Sequence, residues 1–210
     1  MQLLAMLTML IDHTGIVFFP DDPTWRIIGR LAFPFYAYAL VLGYRLTRNT
    51  RRYMLRLAVI GVISQLPYQW ALGGDDINVV GTLLVCLVVL RLIDLYKHPA
   101  AVSLILAAGF LALDLLSFNY GSYALLLVLI YRYTQSSLMV LLHFVLNVLY
   151  AAAMPGWFSQ MYSIGSTFIL AYLPHVLRLS DKLVIPRYIW RSFYPVHLIA
   201  LGTADLLLKS

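Results

Sequence analysis

Residues 3–19 read Leu3-Leu4-Ala5-Met6-Leu7-Thr8-Met9-Leu10-Ile11-Asp12-His13-Thr14-Gly15-Ile16-Val17-Phe18-Phe19, an apolar run broken once by a charge, at Asp12-His13. As a helix rising ~1.5 Å per residue it is ~25 Å long, close to the ~30 Å of hydrocarbon a membrane span covers. The run is continuous rather than alternating, which excludes a barrel strand. No basic region precedes it and a charge interrupts it, so a retained helix is expected rather than a cleaved signal peptide. An ionisable residue in such a setting costs ~2.5–3.5 kcal/mol even on the mildest scale, and marks a functional site by default.

Eight further apolar runs follow: Ile27–Thr47, Tyr53–Leu72, Val79–Tyr96, Ala101–Ser117, Gly121–Tyr133, Leu138–Ala153, Met161–Arg178 and Tyr188–Leu208. The composition agrees. Apolar residues are 62% and charged residues 11% of the 210-residue chain, too few charges for a soluble shell. All nine acids are Asp. The predicted fold is an all-α, polytopic membrane bundle of about nine transmembrane helices, one domain over residues 1–210 with no soluble domain. Residues 121–133 either span or re-enter. Phe33-Pro34-Phe35-Tyr36, Leu66-Pro67-Tyr68 and Phe193-Tyr194-Pro195 predict three proline kinks, each freeing a carbonyl that needs a partner.

The net charge is +6, and its distribution gives it meaning. Alternate loops collect Arg45, Arg48, Arg51, Arg52, Arg56, Arg91, Lys97, Arg132, Arg178, Lys182, Arg187 and Arg191, against Arg26, Arg30 and Lys209 on the other side. The basic side is expected to be cytoplasmic, which puts the N-terminus inside and the C-terminus outside, in an inner membrane. Five arginines between Arg45 and Arg56 exceed what orientation requires, and arginine suits bidentate phosphate recognition. Anionic lipid explains the same charge. Nucleic acid is not an expected partner, because no base-stacking surface accompanies the cluster.

Helix rise sets depth. Asp12 and His13 fall just past the midplane, His197 near it, and Arg30 and Asp114 in the outer half, with Gln65 beside them. Asn78 is expected to cap the fourth run. Adjacent helix residues diverge by ~100°, so Asp12 cannot orient the His13 ring; its expected partner is Arg30 or Arg26. His143 reads as structural. The single Cys86 excludes an intrachain disulfide and reads as packing. Histidine spacing matches no metal motif, and neither a phosphate-cradling glycine loop nor a Gly-x-Ser-x-Gly elbow occurs.

Met9-Leu10-Ile11-Asp12-His13-Thr14-Gly15, Arg26-Ile27-Ile28-Gly29-Arg30-Leu31-Ala32-Phe33-Pro34, Ser64-Gln65-Leu66-Pro67-Tyr68, Asn119-Tyr120-Gly121 and Phe193-Tyr194-Pro195-Val196-His197 together resemble the TraX family of F-pilin N-acetylase-like membrane proteins. More distantly, the chain is similar to transmembrane acyltransferases with an essential histidine in the first helix, here His13. Where this chain has Asn119, the family pattern more typically has Asp. The resemblance implies an acetyltransferase that takes acetyl-CoA from the cytoplasm and modifies an amine or hydroxyl, the best-known case being a pilin-like peptide N-terminus; the acceptor here is a peptide, glycan or lipid. Arg45, Arg48, Arg51, Arg52, Arg187 and Arg191 would hold the donor's phosphates. His13 would act as general base or carry the acetyl group, with His197 as second candidate. Arg30, Gln65, Asn78 or Tyr194 would stabilise the oxyanion, Asp12 would hold Arg30, and Asp114, Asn119 and Tyr120 would meet the acceptor. The alternatives are a small transporter or lipid flippase with a midplane polar site and a non-catalytic assembly factor.

Overall fold

The computed structural model describes residues 1–173, 175–177 and 185–209. Arg178, Lys182 and the end of the eighth predicted run lie outside the described residues. Those described form α1 (Gln2–Phe18), α2 (Pro23–Gly29), α3 (Ala32–Leu46), α4 (Thr50–Leu72), α5 (Val79–Leu95), α6 (Pro99–Leu115), α7 (Gly121–Tyr133), α8 (Ser136–Ala153), a 3-10 helix η1 (Trp157–Ser163), α9 (Ile164–Tyr172) and α10 (Arg187–Lys209). The chain is all-helical, and no strand occurs among the described residues; a single bridge joins Ile77 to Phe118.

Local chemistry sets the boundaries. Asp22 accepts from the Thr24 N–H ahead of Pro23 and opens α2, while Asn49 accepts from Arg52 N–H and opens α4. Both are side-chain caps that satisfy orphan amides. Gly73, at φ 67°, closes α4 in the left-handed conformation that glycine adopts without steric cost. Every predicted apolar run coincides with helix. Two of them are divided: the second breaks at Arg30-Leu31 between α2 and α3, and the eighth is built from η1 and α9.

The nine-span expectation holds for helix position rather than for length. Among the described residues, two helical stretches are long and apolar enough to cross a membrane, Pro23–Leu46 taken through its break and Ser136–Ala153. By contrast α1 and α6 have 17 residues each and α7 has 13, or ~25 Å and ~20 Å at ~1.5 Å per residue. Residues 121–133 form one unbroken helix. It is enclosed because it is apolar all round: Ser122, Tyr123, Ala124, Leu125, Leu127, Val128 and Tyr131 are all buried.

Helix α7 packs on α3, α5, α6 and α8. Their shared core contains Phe33, Leu40, Val41, Cys86, Leu87, Leu90, Leu125 and Val128, so Cys86 is a packing residue. A second, smaller cluster joins Met9, Ala32, Tyr68, Val80, Tyr194 and Leu198 where α1, α4 and α10 meet. Outward faces are apolar too, with Val62, Leu66, Leu104 and Leu115 each more than 70% exposed. Of the three expected proline kinks, Pro67 and Pro195 lie inside helices. Pro34 falls in the first turn of α3, and the carbonyl it leaves without a helical donor is that of Arg30, where α2 and α3 break.

Candidate functional site

Helix α1 brings His13 against α10, and the two predicted histidines touch. Nδ1 of His13 lies 2.7 Å from Nε2 of His197, with the rings stacked 4.9 Å apart. Nδ1 of His197 lies 2.6 Å from the Phe193 carbonyl oxygen, one turn back on α10. A carbonyl only accepts, so this nitrogen carries the hydrogen. In a neutral ring Nε2 of His197 is then the acceptor, and Nδ1 of His13 donates to it. Nε2 of His13 keeps its lone pair. Two contacts thus fix the tautomer in which His13 can take a proton or attack a carbonyl.

His13 opens onto an apical cavity of about 340 Å³, whose walls include Asp12, Arg26, Arg30, Tyr68, Asn119, Tyr120, Trp157 and Gln160. Toward the end where α1 begins, a basal cavity of about 590 Å³ is walled by leucines and other apolar side chains of α3, α4 and α5, with Arg56, Arg187 and Arg191 around it. Tyr36 and Tyr194 line both cavities. They form the partition, and Trp190 stacks on Tyr36 at 5.2 Å from the basal side. Arg187 and Arg191 precede His197 by ten and six residues on α10, or ~15 Å and ~9 Å along the helix.

Asp12 pairs with Arg26 at 2.7 Å, not with Arg30. The pairing depends on Gly29, where a Cβ would overlap the Asp12 carboxylate. Arg30 lies at the α2–α3 break, and its Nε is buried with no acceptor. Tyr120 has a left-handed backbone at φ 66°, a strained state for a bulky residue that its surroundings must enforce. Stacking on Phe33, with centroids 4.0 Å apart, does so. Asn119 faces the cavity and donates to Asp76 at 2.8 Å, and the Tyr68 hydroxyl donates to the same carboxylate at 2.5 Å.

Several expected site residues stand elsewhere. Asn78 accepts from Val80 and Gly81 N–H at the start of α5, and its amide donates to the Gly61 carbonyl and to Gln65. Gln65 in turn donates to the Asp76 carbonyl. These two amides clamp α4 to α5, and neither lines a cavity. Asp114 accepts from Ser122 N–H at 2.7 Å and caps α7. Depth along a helix carries no azimuth, and these three side chains face helix neighbours. Arg45 donates to the Arg132 carbonyl, and Arg48, Arg51 and Arg52 are exposed and line neither cavity. Arg56, one turn beyond Arg52, is the member of that cluster at the basal cavity. Tyr36, Trp190, Asp76 and Gln160 also went unnoticed in the sequence, since single aromatic, acidic or amide residues within or beside apolar runs give no periodic signal.

The family model described as TraX protein matches residues 1–204. The chain is 26% identical over 244 aligned residues to a protein of Dichelobacter nodosus named probable fimbrial assembly protein FimC, serogroup H1, an alignment covering 100% of this chain and 96% of that one. No solved structure matches the chain. With a family match from its first residue into the last turns of α10, spanning both histidines and both cavities, the chain belongs to the TraX protein family.

Proposed function

We propose that the chain is a polytopic membrane acetyltransferase of about nine spans that moves an acetyl group from cytosolic acetyl-CoA to an acceptor entering from the opposite side. The observation that carries this is the meeting of two cavities at the Tyr36–Tyr194 partition, with His13 on the apical side and Arg56, Arg187 and Arg191 around the otherwise apolar basal one. Apolar outward faces at Val62, Leu66, Leu104 and Leu115 and the two long apolar stretches support the membrane. The basic loops make the basal end cytoplasmic. Thin helices flanking a longer pair are compatible with a bilayer that adjusts locally.

In this reading Arg56, Arg187 and Arg191 hold the donor's phosphates through charge-assisted hydrogen bonds. The ~9–15 Å from the α10 arginines to His197 is a distance a phosphopantetheine arm bridges through the apolar basal cavity. Tyr36 and Tyr194 flank the thioester and supply hydroxyls to the developing oxyanion. His13 Nε2 takes the acceptor's proton as the acceptor attacks the thioester carbonyl. When the carbon–sulfur bond breaks, His13 returns that proton to the departing thiolate, leaving acetylated acceptor and free CoA. The family and the name of the fimbrial relative favour a pilin-related role.

Protein purified in detergent and given radiolabelled acetyl-CoA with amine or hydroxyl acceptors is expected to release CoA and label the acceptor. H13A should abolish labelling and still bind CoA. No labelled product from any acceptor class would overturn the proposal.

A further inference from the structure

We infer that the acceptor bound in the apical cavity carries an oxyanion, phosphate or carboxylate, and that Arg30 binds it; this rests on the transfer reading of the same cavity. Three cavity-wall residues bear formal charge: Asp12, Arg26 and Arg30. Asp12 and Arg26 neutralise each other at 2.7 Å. Arg30 makes no ion pair among the described residues and leaves its buried Nε without an acceptor. A guanidinium presents five donors in a planar fork that matches an oxyanion. The half-buried Arg30 shares the field of Asp12, whose ion pair is with Arg26, so an anionic ligand would give Arg30 a full partner and its Nε an acceptor.

The acids near the cavity point the same way. The Asp12 carboxylate is held by Arg26, and Asp76 behind the wall already accepts from Tyr68 and Asn119. Asp12 is thus already paired, and Asp76 does not line the cavity. A cationic acceptor would therefore meet a cavity wall with one excess positive charge. A volume of about 340 Å³ is within the range of small-ligand pockets, enough for a head group or short segment that anchors its anion at Arg30 and presents its nucleophile to His13. The nucleophile is then an uncharged amine or a hydroxyl on the same molecule.

The test titrates the detergent-solubilised chain calorimetrically with glycerol 3-phosphate, lactate, glycerol and ethanolamine. One or both anions should bind at least tenfold more tightly than the neutral and cationic probes, which identifies the preferred oxyanion. R30Q should lose that advantage, and R30K, which keeps the charge without the fork, should retain part of it. The triple variant R56Q/R187Q/R191Q should retain it fully. Equal affinities for all four probes, or an anion preference lost in the triple variant and kept in R30Q, would overturn the inference. Acetyl transfer to neutral and anionic acceptors with equal kcat/KM, unchanged in R30Q, would also overturn it and leave the transferase reading standing. Arg30-dependent anion binding without transfer would do the reverse.

Discussion

Nδ1 of His13 and Nε2 of His197 lie 2.7 Å apart across 184 positions of sequence, and the second ring is itself tied to the Phe193 carbonyl. In the proposed reaction His197 is therefore a positioning residue for His13 acting as base. H13A removes the base and should lower turnover by about 10²–10⁴. H197A frees the His13 ring to adopt the other tautomer and should cost less than that. H197Q offers an amide oxygen to the same N–H and should recover part of the loss. The measurement is kcat for acetyl transfer with the donor KM followed alongside, since a role confined to folding would lower active fraction and not discriminate Gln from Ala. Full activity in H197A would remove His197 from the site.

The Asp12–Arg26 pair is partly enclosed, with side-chain exposures of 13% and 32%. Removing either partner leaves the other charge desolvated and should destabilise the protein by about 1–3 kcal/mol. A double-mutant cycle between Asp12 and Arg26 should give a coupling energy, and one between Asp12 and Arg30 a smaller one. G29A should reproduce much of the D12N loss, because its methyl group displaces the carboxylate. Thermal unfolding in detergent reads all of these. Equal coupling to both arginines would argue that Asp12 exchanges between them.

Donor affinity separates the two groups of arginines. R56Q, R187Q and R191Q should each raise the donor KM, by roughly tenfold for ~1.5 kcal/mol of lost charge-assisted bonding, and should weaken its salt dependence. R48Q, R51Q and R52Q should leave KM unchanged, because these side chains are exposed and outside the basal cavity. A KM increase confined to the second group would move the phosphate site to the loop.

How far the sequence could be read follows from what each signal encodes. Hydropathy marks apolar stretches along the chain, so most helices are legible from the apolar runs, although α2 begins ahead of its run at Pro23 and η1 at Trp157, and Asn78 is recognisable as a cap. Depth, from helix rise, put His13 and His197 at one level, and the structure joins them. Azimuth was not legible. Gln65, Asn78 and Asp114 share that region but turn toward helix neighbours. The choice of Arg26 over Arg30 depends on the break after Gly29; Pro34 signals a break near Arg30 but not which arginine it turns toward Asp12. Tyr36 and Tyr194 form the cavity partition, with Trp190 stacked on Tyr36, only because α3 and α10 approach each other, a tertiary fact with no local trace.

His143 is the remaining buried histidine, and its hydrogen bonds make it a fastener. Tyr123 donates to Asn147 Oδ1 at 2.8 Å, so its oxygen accepts from His143 Nε2 at 2.9 Å. His143 Nδ1 then accepts from the Thr167 hydroxyl at 2.6 Å. The Tyr131 hydroxyl lies 2.6 Å from the same Thr167 oxygen, which leaves it the donor. Helices α7, α8 and α9 are thus pinned by one fully paired network. H143L takes the acceptor from the buried Thr167 hydroxyl, at a cost of about 1–3 kcal/mol, and one donor from Tyr123, which keeps Asn147 and Gln160. Its Tm should fall clearly below that of the wild type, while the protein that remains folded should transfer acetyl with an unchanged pH profile, since His143 lines neither cavity. A shifted profile at wild-type Tm would instead assign His143 to the chemistry.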